Sequence, residues 1–221
     1  MNLPDGLLDA SWALVAWLLF APLAGLALRQ APWRVLADSA RLNTFLGMVV
    51  ALALLWQLAA GVRPGLSLHL LGATVLTLCF GWALSFVGLC LVLFCVSLNG
   101  AAGWQSFAAN ALLMAGVGVG VSQALHQLIR HTLPRHLFIY IFGNGFFASA
   151  VAMMAVGGAS CLLFGASGLY HSEYLLNDYL PYALLLAFSE AWLSGMLTTL
   201  LVVYRPGLLT SFEDDCYLGK S

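Results

Sequence analysis

Charged residues are scarce in this chain: Asp, Glu, Lys and Arg make up 8% of 221 residues, against 62% hydrophobic. A water-soluble surface cannot be built from that composition without large exposed apolar patches, so a soluble globule is excluded. Eight basic residues spread over such a chain form no basic stripe, which removes nucleic acid as a partner. The sequence holds no HExxH, no GxSxG and no pair of carboxylates within one apolar run, so it carries no enzyme constellation. It has no ATP-binding loop either, and energy for any pumping must come from another protein or an ion gradient. Cys79, Cys90, Cys95, Cys161 and Cys216 form no CxxC pair; thin side-chain packing outweighs metal or disulfide chemistry for them. Basic residues are also missing ahead of the first apolar segment, where MNLPDGLLD offers Asp5 and Asp9 instead. That is unlike a signal peptide, and the opening is expected to do more than target the chain.

Long apolar runs fill the space that charge leaves. Between Arg63 and Arg130 lie 66 consecutive residues without a charged side chain, room for three crossings at about 20 residues each. Backbone groups in hydrocarbon must bond within the segment, and these runs are too long for tilted strands of roughly 10 residues, so an all-α polytopic transmembrane bundle follows. Seven segments are expected, at 11–28, 42–60, 69–84, 86–99, 107–129, 137–165 and 181–204, in one membrane domain covering 1–221. The third and fourth have no charged break and read either as one long helix or as a tight hairpin around Gly81 and Ser85. Charge bias favours the hairpin. Seven helices with the N-terminus outside place Arg29, Arg34, Arg41, Arg130, Arg135, Arg205 and Lys220 on the inner side with the C-terminus, and only Arg63 outside.

Polar groups inside apolar runs cost desolvation unless paired or used. His69 opens the third segment, Asn110 lies early in the fifth, and Glu190 lies about ten residues into the last, where it should face the interior. His69 reads as a structural boundary residue or a ligand, and Asn110 as interhelical glue or part of a path. Glu190 could pair helices, gate a path or carry a proton. Small residues cluster at GVGVG 116–120, FGNGFFASA 142–150 and VGGAS 156–160, surfaces on which helices approach closely. His126, His131 and His136 surround a basic inner connection at a spacing that is not one-faced, and interfacial contact is expected. His171, Glu173 and Asp178 in the longest outer loop, and FEDDC at 212–216, read as solvated surface before they read as cation sites. MNLPDG sits at the outer face, with Pro4 and Gly6 turning it toward the bundle and Asp9 or Ser11 in position to cap the first helix.

MNLPDGLL resembles the MHIPDGFL opening of the CbiM/NikM family, membrane components of energy-coupling-factor importers for cobalt and nickel. LHLLGA at 68–73 is similar to the family's GHLLGG-like segment, and NALLMAGVGVG at 110–120 to its NVLNMG-like segment. FSEAWLSGMLTTLLVVYRPGLL at 188–209 resembles the PEA...TG...RPxLL ending. The resemblance implies a substrate-binding permease component of the bacterial cytoplasmic membrane that takes up Co(II) or Ni(II). A transmembrane coupling subunit and cytoplasmic ATPase subunits would energise it.

In that family the N-terminal amine, the next backbone nitrogen and a second-residue histidine side chain hold the metal, with a histidine of the HLLGG segment completing a near-planar nitrogen site. Met1 and His69 occupy the corresponding positions, but the second residue is Asn2. An amide oxygen replaces an imidazole poorly, which implies lower affinity or changed selectivity. Three outcomes stay open: the Leu3 backbone nitrogen joins the site, His171 supplies the missing imidazole, or the bundle carries a different solute.

Overall fold

The computed structural model describes residues 2–58, 60–61 and 66–212. Met1, Arg63, Cys216 and Lys220 therefore lie outside the described residues, as does most of the acidic 212–216 stretch. Six helices among the described residues are long and apolar enough to cross a membrane: α1 Ala10–Gln30, α2 Ser39–Gln57, α3 Ala73–Leu98, α4 Phe107–Thr132, α5 Leu137–Ala166 and α6 Ser172–Tyr204. Between α2 and α3 a two-residue antiparallel ladder pairs β1, Ala60–Gly61, with β2, Ser67–Leu68. Asp38 caps α2 by accepting from the Ala40 amide at 3.1 Å, and His136 caps α5 by accepting from Phe138 at 3.3 Å. Asp9 takes the N-cap position of α1 without a side-chain bond.

The expected segments 69–84 and 86–99 both map onto the one element α3. Its interior is broken at Gly81, where φ is 74° and ψ 173°, a combination that side chains with a Cβ hardly populate. Packing against α2 shows what the break does. Gly72 lies on Leu52 and Gly88 on Phe45 and Val49, while Phe80 stacks edge-on with Phe45 at 5.2 Å. The chain thus moves along α2 from Leu52 to Phe45 and then, by Gly88, is moving back. α3 is two helices running in opposite directions, a half-helix 73–80 and a longer arm 82–98. A correction concerns the expected outer loop at 171–181, which is helical and extends α6 back to Ser172.

α3 is the hub: most of its residues are buried, whereas only Ala16 and Ala27 are buried in α1. The two ends of the bundle are recognisable by what meets there. At one end the N-terminal segment touches Ser67, Gly103 and Asn110. At the other, Arg41 donates to the Gly207 carbonyl at 3.0 Å, and the amides of Thr210 and Ser211 donate to the carbonyls of Cys79 and Leu78 at 3.3 and 3.2 Å. Because α3 reverses, Arg29, Arg34, Arg41, Arg130, Arg135 and Arg205 all fall at this second end. Three of the helices contain π-helical stretches, Leu112–Val117 in α4, Tyr140–Phe147 in α5 and Leu175–Tyr179 in α6.

Candidate functional site

The residues after Met1 form a strap folded down into the bundle mouth. Leu3 is fully buried and Leu8 nearly so, so the apolar side chains of a short segment are drawn inward while Pro4 and Gly6, at φ 76°, turn it. Every backbone group that this burial removes from water needs a partner. The Leu3 amide donates to Asn110 Oδ1 at 2.9 Å. The Leu3 carbonyl accepts from Asn110 Nδ2 at 3.2 Å and from the Gly103 amide at 2.9 Å. Asn110 therefore acts as a side-chain imitation of a β-ladder. Ser106 Oγ donates to the Pro4 carbonyl at 3.0 Å, and the Gln105 amide donates to Asp5 Oδ1 at 2.7 Å. A Cβ on Gly103 would overlap Pro4 and Asp5, so only glycine lets the strap lie this close.

Opposite the α4 entry, the strap meets the stretch that carries His69. The Asn2 amide donates to Ser67 Oγ at 2.8 Å, two residues before His69. Trp56, at the end of α2, lies against the His69 ring with centroids 4.6 Å apart. His69 is buried, outside the membrane-length helices, and burial holds its pKa well below the ordinary imidazole value. The ring is therefore neutral. Its Nδ1 sits 3.1 Å from the Leu70 carbonyl, which can only accept, so Nδ1 carries the proton and Nε2 an open lone pair. Among the described residues that buried Nε2 has no partner, and neither does Asn2 Oδ1.

Below His69 the chain is fixed by the last helix. The amides of Leu71 and Gly72 donate to the two oxygens of Glu190, each at 2.8 Å, and Ser194 Oγ donates to the same carboxylate at 3.2 Å. Glu190 does face the interior, and it is spent on backbone groups at the start of the half-helix, whose cap Gly72 has φ 69°. Asn110 and Glu190 thus grip the two segments that bear Asn2 and His69.

The other expected participants stand apart. The Leu3 nitrogen donates to Asn110, as the Asn2 nitrogen does to Ser67. His171, Glu173 and Asp178 are exposed, and among the described residues no three His, Cys, Asp or Glu side chains gather as a metal cluster. His131 is exposed, but His126 is buried and paired with Asn144 at 3.1 Å, a correction to its expected place at the interface. Cys79, Cys90, Cys95 and Cys161 are free thiols. Ser67, Trp56, Gly103 and Ser106 were not distinguished by sequence. Only the placement of Ser67 two positions before His69 on an extended stretch, which puts both side chains on one face, offered a signal.

Six apolar helices of membrane length, a reversed central helix and a buried terminal strap beside a loop histidine define a multi-pass membrane protein. Residues 2–208 match the model of the family described as CbiM, cobalt uptake substrate-specific transmembrane region. The chain belongs to the CbiM family, whose members are membrane transporter components and not enzymes. A relative from Methanosphaerula palustris, assigned to cobalt transport as CbiM 2, is 31% identical over 156 residues, covering 69% of this chain and 63% of that relative's length. The fold matches the crystal structure of a truncated transition metal transporter with a TM-score of 0.78 at 19% identity, covering 92% of this chain and 99% of that one. A second crystal structure of a transition metal transporter gives 0.76, also at 19% identity, over 92% and 93% of the two chains.

Proposed function

We propose that this protein is the cargo-binding membrane component of a divalent transition-metal importer of the bacterial cytoplasmic membrane, taking Co(II) or Ni(II) as substrate. The observation that carries the reading is His69, a buried imidazole whose Nδ1 lies on the Leu70 carbonyl and whose Nε2 has no partner among the described residues. Such an atom costs desolvation and receives nothing from the protein, which suits a group reserved for a cation. The amine of Met1 and the Asn2 amide complete the donor set. Ser67 Oγ accepts from the Asn2 N–H and so holds the Asn2 backbone beside the stretch that bears His69. Asn2 Oδ1 adds an oxygen where the family has an imidazole nitrogen, a donor set less committed to a square-planar ion and open to changed selectivity. Asn110 and Glu190 are positioning residues for the strap and the loop. A transmembrane coupling subunit and cytoplasmic ATPases would then release the cargo inward.

Inductively coupled plasma mass spectrometry on gently purified protein with a native N-terminus tests the reading against His69→Ala and an N-terminally extended form. Near-stoichiometric cobalt or nickel in the parental protein, lost in both altered forms, is expected. Absence of metal from all three after controlled loading would move the assignment to another small solute or to a structural role in a membrane complex.

A further inference from the structure

From Glu190, which the site uses, further polar groups run through the interior toward the arginine-bearing end. Glu190, Ser194 and Thr198 recur every fourth residue on α6 and are all buried, which places them in line on one face. Thr198 Oγ1 has no partner among the described residues. Thr77, Ser122, Ser160 and Thr199 each donate to the carbonyl four residues back, at 2.7 to 2.8 Å, whereas Thr198 Oγ1, like Ser97 Oγ, does not. Thr198 faces α5 at Gly145, where an added Cβ would lie 3.2 Å from that hydroxyl oxygen. The next residue, Asn144, holds His126 of α4 at 3.1 Å, and both are buried. His126 lies one turn before Arg130 and the arginine-bearing end. Alongside, Thr74 of the half-helix and Ser122 of α4 share a hydrogen bond of 2.8 Å.

We propose that Ser194, Thr198, Asn144 and His126 are the inner part of the cation's route, and that His126 with Asn144 forms an inner station which receives the cation after His69 releases it. The inference rests on the metal-import reading above. Three observations favour a route over simple helix adhesion. Polar side chains that hold helices together are paired across the interface, and among the described residues the Thr198 hydroxyl is not. The groups supply hydroxyl, amide and imidazole in succession, all donors for a borderline divalent ion. Asn144 lies inside the π-helical stretch Tyr140–Phe147, a helix form that accumulates at functional sites because it leaves the backbone ladder locally incomplete.

Thr198→Val keeps the shape of the side chain and removes only the hydroxyl, and His126→Phe removes the imidazole. Uptake of radiolabelled cobalt and nickel is measured in cells carrying each form in place of the parental protein, with metal content and thermal midpoint of the purified forms alongside. The expected result is uptake reduced by about tenfold or more, with His69-dependent metal content and midpoint unchanged in Thr198→Val. Unchanged uptake in both forms overturns the route. A loss of uptake matched by equal losses of bound metal and midpoint in both forms also overturns it, in favour of packing. A parental protein that neither binds nor accumulates metal sinks the import reading itself.

Discussion

Glu190 spends both carboxylate oxygens on the amides of Leu71 and Gly72, so the amide of a glutamine cannot replace it without turning one acceptor into a donor. Glu190→Gln leaves one buried N–H unmatched, a cost of about 1–3 kcal/mol. The thermal midpoint should fall, and metal affinity measured by calorimetry should fall by about tenfold or more as the His69 stretch loosens. Unchanged affinity and midpoint would remove Glu190 from the positioning role. At this scale the sequence was informative about which residues to watch, since His69, Asn110 and Glu190 are polar in apolar runs and the family resemblance singles out Asn2. It was uninformative about their partners. The bonds from Asn2 to Ser67, Leu3 to Asn110 and Leu71 to Glu190 span 65, 107 and 119 residues, separations that leave no trace in local periodicity.

Helix positions were legible from apolar runs, and most ends lie within a few residues of expectation. The start of α6 was missed because Glu173, Asn177 and Asp178 are exposed on its first turns, and polarity there imitates a loop. α3 is the more instructive element. Its 26 residues contain no charged break, so hydropathy cannot divide it; the division is a matter of one residue's backbone angles. An added Cβ at Gly81 meets nothing within 4 Å, and the cost of replacing it is therefore conformational alone. Gly81→Ala is expected to destabilise by about 1–3 kcal/mol, read as a lower midpoint in detergent, whereas Gly120→Ala, equally open and in an ordinary helix, should be neutral or better. Equal midpoints for the two variants would show that the reversal at Gly81 does not depend on glycine.

For the whole molecule, the reversal decides where charge lies. With α3 turned back on itself, every described arginine falls at the end opposite the strap, the distribution that positive-inside insertion favours. The strap and Ser172 should then face outward. In a cysteine-free background, His171→Cys is expected to react with an impermeant maleimide on intact cells, and Arg135→Cys only after permeabilisation. The opposite pattern would invert the bundle in the membrane.

The half-helix 73–80 has a consequence of its own. α6 holds its upper end through Glu190, and the tail that continues from α6 holds its lower end through Thr210 and Ser211. It is strung between two moorings on one stiff rod, so it cannot tilt without slipping one of them. The tautness of the stretch bearing His69 is consequently set from the far side of the bilayer, where the tail ties off, as a string is tuned at the peg and sounds at the bridge.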